Sequence, residues 1–116
     1  MIAKHYRLKE NEVKKVLAKR KPFFSHHMVA NVFPNNTSHA RIGIVLSGKQ
    51  TRGSVNRNTY RRLIYDTAGT YLTSIWYDIV FVCKKGIILD RKDETMRVSI
   101  ERDILFLLQT IKKTSR

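Results

Sequence analysis

The chain has 116 residues, a formal net charge of +14 and a hydrophobic content of 42%. This length predicts one domain, residues 1–116, with enough apolar side chains to form a core. We recognise neither a secretion signal nor an apolar run long enough to cross a membrane, so we expect a cytoplasmic protein that does not enter a membrane. Cys83 is the single cysteine and lies in an apolar run, which predicts a reduced thiol in the core.

The positive charge is concentrated in the first part of the chain. Residues 1–9 form a basic N-terminal arm, and eleven Lys and Arg residues follow between Val13 and Tyr65 without a single carboxylate. From Asp66 onwards, nine basic residues are balanced by seven acidic ones. A positive field on one side of a protein indicates a polyanionic partner, and nucleic acid fits this pattern best.

A short helix is the first predicted element after the arm. Val13, Val16 and Leu17 have the i, i+3, i+4 spacing of a helix that buries one face. Asn11 is the expected N-cap of this helix, and Pro22 is expected to end it.

Two strands are predicted next, over residues 23–33 and 40–47, with a turn at 34–38 between them. The alternation of side chains predicts one dry face, formed by Met28, Ala30 and Val32 of the first strand and Ile42, Ile44 and Leu46 of the second. The opposite, partly polar face carries His27, Val29, Asn31 and Phe33, together with Arg41, Gly43 and Val45. We expect this second face to stay open.

The remaining elements are a helix, a strand and a helix. The first helix begins near Ser54 and runs past Tyr65, and the strand at 75–83 is apolar enough to be buried on both faces. The last helix spans 94–113 and carries an apolar stripe. The order strand, helix, buried strand predicts a βαβ crossover with two parallel strands, and therefore an α/β fold.

The helix that begins near Ser54 has the most informative surface in the sequence. Arg57, Asn58, Arg61 and Arg62 cluster on one side of its helical wheel, with Tyr65 among them. Such a cluster repels itself unless an anion binds, and guanidinium groups offer the paired donors that suit phosphate. A solvated basic face is the alternative interpretation, since such faces are common on isolated helices.

Other motifs give weak signals. Gly43 to Lys49 matches the beginning of a phosphate-binding loop, but Gln50 stands where Ser or Thr would bind magnesium. His26 and His27 are adjacent on a predicted strand and therefore point to opposite faces, so no protein-bound metal is predicted. Asp90 and Asp93 are expected to lie in a loop that caps the last helix, and no catalytic residue is predicted in this chain.

Three motifs occur in a fixed order along the chain. A strand reads Arg41-Ile-Gly-Ile-Val-Leu-Ser-Gly-Lys49, the helix reads Arg57-Asn-Thr-Tyr-Arg-Arg62, and a later strand reads Tyr77-Asp-Ile-Val-Phe-Val-Cys-Lys-Lys-Gly86. Together with Arg7-Leu8 they resemble the protein-subunit family of bacterial ribonuclease P, whose hallmark is Arg-Asn-x-x-Lys-Arg-x-x-Arg. The chain departs from the family at four positions: Tyr65 replaces the final motif arginine, Gly48 replaces the first lysine of a pair, and Val13 and Leu17 stand where phenylalanines are frequent.

The resemblance implies a two-layer α+β sandwich with a mixed sheet of about four strands, three helices and a left-handed crossover. It also implies two RNA partners: a catalytic RNA subunit, which holds the Mg²⁺ ions that cleave the substrate, and precursor tRNA. We expect the RNA subunit to contact Lys49, Arg52, Arg57, Asn58, Arg61, Arg62 and Tyr65. We expect the 5′ leader of precursor tRNA to contact His27, Asn31 and Phe33, with Val13 and Leu17 at the border of its cleft or in the core.

Two other functions remain open at this point. A non-catalytic RNA-binding or ribosome-associated module on the same fold would have the same charge pattern. An independent metal-dependent nuclease would need Asp90 or Asp93 for cleavage. No small-molecule substrate is expected in any of these cases.

Overall fold

The structure is a computed structural model that describes residues 4–19, 21–35, 37–49 and 51–114. Its main elements are α1 (Glu10–Ala18), β1 (Lys21–Phe24), β2 (Met28–Pro34), β3 (Arg41–Val45), α2 (Ser54–Ala68), β4 (Tyr77–Cys83) and α3 (Glu94–Thr114). Short 3-10 turns occupy Lys4–Tyr6 and Gly69–Tyr71. Part of the predicted basic arm (residues 1–3), together with Arg20 and Gln50, lies outside the described residues.

The four strands form one mixed sheet in the order β1-β2-β4-β3. β1 and β2 are antiparallel, as are β2 and β4, whereas β3 and β4 are parallel and are joined through α2. The βαβ unit, the mixed sheet and the three helices predicted from the sequence are therefore confirmed. The left-handed crossover stays a prediction of the family resemblance.

The larger apolar core lies between one face of the sheet and the helices α2 and α3. The strand β4 contributes Ile79 and Phe81 to this core. The residues predicted for the dry face also lie in it: Met28, Ala30, Val32, Ile42, Ile44 and Leu46. The helices contribute one stripe each, with Tyr60, Ile64 and Ala68 from α2 and Ile100, Ile104, Leu107, Leu108 and Ile111 from α3. Burial of these two stripes explains why both segments are stable helices.

The opposite face of the sheet is not fully open, because α1 packs on it. Val16 of α1 is buried, and so are Asn31 of β2 and Val80 of β4 beneath the helix. Gly43 of β3 gives α1 its close approach: a β-carbon at this position would lie 2.8 Å from Cγ2 of Val13. The predicted open face is thus reduced to the strip that α1 leaves uncovered.

The predicted strand 23–33 is in fact two strands with a tight turn between them. Asp103 of α3 holds this turn: its Oδ2 accepts hydrogen bonds from Oγ of Ser25 at 3.0 Å and from the backbone N–H of His27 at 2.6 Å, and lies 3.0 Å from Nδ1 of His27. The sequence carries no Gly or Pro there that would have signalled a turn. The break depends instead on a carboxylate far along the chain.

The start and the end of α1 also differ from the prediction. Lys9, not Asn11, occupies the N-cap position, and its backbone N–H donates to Oε1 of Glu12 at 2.8 Å. The helix ends at Ala18, and Pro22 lies within β1.

The described part of the basic arm is docked on the edge of the sheet. Arg7 forms a parallel bridge with Ile42 of β3, and the backbone N–H of Leu8 donates to the carbonyl of Ile42 at 2.9 Å. The chain at Arg7 and Leu8 is therefore paired with the outer edge of β3 at Ile42.

Cys83 lies in the core, as predicted. Its thiol is buried at the end of β4, and burial raises the pKa of this thiol to about 11. None of the helices described has both the length and the apolar character required to cross a membrane.

Candidate RNA interface

The arginine face of α2, formed by Arg57, Asn58, Arg61 and Arg62, points away from the core. Tyr60 and Ile64 on the other side of the helix are fully buried. The hydroxyl of Tyr60 donates to the carbonyl of Asp90 at 2.9 Å, which anchors the helix, and burial raises the pKa of this phenol to about 12. The docking of α2 through its apolar stripe thus fixes the direction of the arginine face.

The guanidinium groups of the arginine face are not neutralised by the protein. Asn58, Arg61 and Arg62 are exposed, and Arg57 is half-buried with its Nη1 3.4 Å from the carbonyl oxygen of Thr51. Across the residues that the structure describes, none of these arginines forms an ion pair with a carboxylate. Four adjacent polar or cationic side chains without internal counterions form a surface suited to a phosphate backbone.

The loop before α2 brings Lys49 and Arg52 to the same end of the molecule. Both side chains are exposed. The loop is ordered by Thr51, which is buried and donates to the carbonyl of Ser47 through both its backbone N–H (3.0 Å) and its hydroxyl (2.9 Å). Gly53 at the N-cap has a φ of 81°, a conformation that glycine adopts without strain. Lys49 and Arg52 are therefore presented by an ordered turn.

Tyr65 stands one helical turn beyond Arg61 but is half-buried. It lines a cavity of about 330 Å³ together with Leu8, Val13 and Arg61. Burial raises the pKa of its phenol, and the nearby charges of Arg61 and Arg7 oppose that shift. Tyr65 is thus a protonated hydroxyl between the arginine face and the N-terminal segment.

A second concavity lies beside α1. It is a cleft of about 310 Å³ whose lining includes two carboxylates beside its cations and its aromatic ring: Glu12, Lys15, Val16, Phe33, Pro34, Asn35, Thr37, Arg41 and Asp78. The Nζ of Lys15 stands 5.9 Å from the centre of the Phe33 ring, within the range of a cation–π contact. The cleft thus combines an aromatic surface and the Lys15 cation with the carboxylates of Glu12 and Asp78, which are both paired with Arg41.

The residues predicted to contact the leader do not all reach this side of the sheet. Val13, Leu17 and Phe33 are partly exposed around α1. Asn31 is fully buried, with its Nδ2 3.4 Å from the carbonyl of Val80, so the predicted exposure of this residue on the open face is wrong. The predicted position of His27 is also wrong, because the turn directs its ring to Asp103 of α3 rather than to the face beneath α1.

Arg41 is the residue whose role the sequence analysis missed. Its Nε and Nη2 donate to Oδ1 and Oδ2 of Asp78 at 2.8 and 2.7 Å, and its Nη1 donates to Oε2 of Glu12 at 2.6 Å. The hydrogen bonds to Asp78, followed by the charge of Glu12, raise the pKa of the guanidinium. The sequence analysis counted Arg41 among the eleven basic residues without a neighbouring carboxylate. In the structure its side chain forms ion pairs that join α1 to the sheet. The sequence feature that could have indicated this role is Asp78, a carboxylate within an otherwise apolar strand, because a buried carboxylate needs a cationic partner.

The histidines and the loop carboxylates have structural contacts. The ring of His39 packs edge-on against Tyr6 with 4.8 Å between the ring centres. Asp93 caps α3 through Oδ1, which accepts from the N–H of Met96 at 3.0 Å, as predicted for this loop. In the described portion of the chain, no three His, Cys, Asp or Glu side chains are grouped so that they could hold a metal.

The fold and the site define a small, strongly basic α+β protein that exposes a cluster of arginines on one face of α2. The sequence profile of the ribonuclease P family matches residues 2–109, and the chain therefore belongs to this family.

Similar proteins agree with this assignment. The ribonuclease P protein component of Idiomarina loihiensis is 35% identical over 63 residues, which are 53% of this chain and 50% of the relative. The corresponding protein of Azotobacter vinelandii is 36% identical over 62 residues, 53% of this chain and 48% of the relative. The chain spans about half the length of these curated relatives. An RNase P protein of Staphylococcus aureus, a mutant with defective mRNA degradation activity, superposes with a TM-score of 0.76 at 25% identity, covering 94% of this chain and 90% of its own.

Proposed function

We propose that this chain is the protein subunit of ribonuclease P. In this role it binds the catalytic RNA through the arginine face of α2 and through Lys49 and Arg52, and it assists removal of the 5′ leader from precursor tRNA. The proposal covers the whole described chain as one RNA-binding domain.

The arginine face is the observation that carries the proposal. Arg61 and Arg62 are exposed and lack carboxylate partners within the described residues, while the apolar stripe of α2 is locked into the core. The chain has seven carboxylates after Tyr65. The described structure nevertheless pairs none of them with Arg61 or Arg62. An uncompensated cationic ridge on a rigid helix is the arrangement that gains most from a phosphate backbone.

The strip of sheet beside α1 is the proposed site of the single-stranded leader. Phe33 offers a ring for stacking, Lys15 a charge for a phosphate, and Val13 and Leu17 apolar borders. Such a combination of stacking surface and cation binds single strands with little dependence on sequence.

Cleavage is proposed to take place in the RNA subunit with its own Mg²⁺ ions. Several carboxylates have structural contacts instead: Asp78 holds Arg41, Asp103 holds the β1–β2 turn, and Asp93 caps α3. Asp90 accepts a hydrogen bond from the backbone N–H of Lys92 within its own loop. The work of this chain is thus to bind and position RNA, and we place it in the cytoplasm with its substrate.

Reconstitution tests the proposal. The chain is combined with a bacterial ribonuclease P RNA and a precursor tRNA at low magnesium, and cleavage is compared with that by the RNA alone. We expect stimulation by the wild-type chain, a reduced effect with Arg61→Ala, and full stimulation with Arg102→Ala, which changes an exposed arginine on α3.

Absence of stimulation by the wild-type chain would contradict the proposal and leave a non-catalytic RNA-binding module as the better description. Cleavage by the chain without RNA, lost in Asp90→Ala, would instead point to a nuclease.

A further inference from the structure

A second cationic concavity lies where the N-terminal segment passes the end of α2. It has a volume of about 280 Å³ and is lined by Lys4, Arg7, Leu8, Lys9 and Tyr65. Three of these side chains are cations, one is a phenol, and none is a carboxylate. A concavity with this lining attracts anions.

The backbone that carries the three cations is fixed in place. Lys4 belongs to a 3-10 turn that is closed by a hydrogen bond from the N–H of Arg7 to the carbonyl of Lys4 at 3.1 Å. Arg7 then pairs with Ile42 at the edge of the sheet. Main-chain contacts thus fix where the backbone presents these cations, so the segment itself needs no ordering when a ligand binds.

Tyr65 joins this concavity to the arginine face. Arg57, Arg61 and Tyr65 follow one another at intervals of four residues, so each step advances about 6 Å along the helix. Tyr65 lines both this concavity and the cavity that Arg61 borders, which places it between the two groups of cations. Its hydroxyl keeps its proton at neutral pH, because burial raises its pKa, and it can therefore donate a hydrogen bond.

We propose that Lys4, Arg7, Lys9 and the hydroxyl of Tyr65 form a phosphate-binding subsite that extends the arginine face onto the N-terminal segment. The ligand is a backbone phosphate of the RNA that the arginine face binds, so the inference rests on the proposed function. In this arrangement the N-terminal cations supply the charge that is missing from α2 at Tyr65, where the family motif has an arginine.

Binding of ribonuclease P RNA over a series of salt concentrations tests the subsite. Arg7→Gln is expected to weaken binding and to lower the slope of log K against log salt by about 0.9 for one lost phosphate contact. Tyr65→Phe is expected to weaken binding with an unchanged slope, because a neutral donor displaces no counterion. Tyr65→Arg is expected to raise the slope by about 0.9.

Arg102→Gln is the matched control, because it removes the same charge from an exposed position on α3. Equal slopes and affinities for Arg7→Gln and Arg102→Gln would overturn the subsite. If Arg7→Gln fails to fold by circular dichroism, the double variant Lys4→Gln/Lys9→Gln takes its place, since both lysines are exposed. For this variant, a slope equal to that of the control would likewise overturn the inference.

The two proposals fail in different ways. If the wild-type chain stimulates cleavage of precursor tRNA but the N-terminal variants bind RNA as the control does, only the subsite is wrong. If the wild-type chain does not stimulate cleavage at all, the proposed function is wrong.

Discussion

Arg41 and Asp78 are direct neighbours in the register of the parallel strands β3 and β4, and two hydrogen bonds of 2.8 and 2.7 Å join their side chains. Asp78 is almost fully buried, and Asn35 is its other side-chain partner in the described structure, with Nδ2 donating to Oδ1 at 2.8 Å. The pair extends to Glu12 of α1 and thereby connects the helix to the sheet.

Removal of Arg41 is expected to destabilise the fold strongly. Arg41→Ala would leave the buried carboxylate of Asp78 without its counterion, which costs about 3 kcal/mol of unfolding free energy. Urea denaturation measures this loss. Lys14→Ala is the control, because the pair of Lys14 with Glu10 is exposed and should contribute less than about 0.5 kcal/mol. Equal midpoints for the two variants would show that the Arg41–Asp78 pair is not structurally important.

Gly43 is expected to tolerate no side chain. In Gly43→Ala the new β-carbon would lie 2.8 Å from Cγ2 of Val13 and 3.3 Å from a methyl group of Val80, so α1 must shift away from the sheet at a cost of about 1–3 kcal/mol. The thermal midpoint should fall accordingly, and the added substitution Val13→Ala should restore part of the loss. Gly48→Ala is the control, since no atom lies within 4 Å of a β-carbon there. A Gly43→Ala variant as stable as Gly48→Ala would contradict this account of how α1 packs.

Single substitutions on the arginine face should distinguish residues that contribute a positive charge to RNA binding from residues that contribute only a hydrogen bond. Arg61→Ala and Arg62→Ala are each expected to lower the salt slope of RNA binding by about 0.9. Asn58→Ala should weaken binding without changing the slope, because the amide carries no charge. Filter binding or fluorescence anisotropy at several salt concentrations gives both quantities, with Lys113→Ala at the end of α3 as the control. Slopes unaffected by either arginine would mean that the RNA binds elsewhere.

The stability of the fold should depend on Glu12 at acidic pH. The backbone N–H of Lys9, and then the charge of Arg41, lower the pKa of the Glu12 carboxyl below its ordinary value of 4.5. The folded state therefore favours the ionised form, and this stabilisation is complete above pH 4.5 and is lost as the pH falls through the lower pKa of the folded state. The difference in urea midpoint between the wild type and Glu12→Gln should shrink on acidification. A difference that stays constant with pH would exclude this contribution.

The sequence was sufficient to predict features that depend on local periodicity. The helical wheel of α2 placed Arg61 and Arg62 on one side of the helix, and the structure confirms that this side is exposed, with Tyr60 and Ile64 buried on the other. This prediction succeeds because burial of the apolar stripe fixes the rotation of the helix about its axis, and the rotation decides which side chains face the solvent.

Features that depend on distant contacts were not predictable in this way. The turn before Met28 is held by Asp103, and the charge of Arg41 is taken up by Asp78 and Glu12, each from a different element. Asn31 was placed on the correct face, but alternation along a strand does not reveal that α1 covers it. Each of these errors arises because the partner comes from another part of the chain.

The two edges of the sheet have a consequence for how the protein behaves at high concentration. On one side, the outermost strand β1 exposes Lys21, whose charge repels a second copy, and Pro22, which has no N–H to offer to an added strand. On the other side, the segment around Arg7 and Leu8 already occupies the edge of β3. Both edges thus carry features that oppose the addition of another strand, and such features disfavour edge-to-edge aggregation of small sheets.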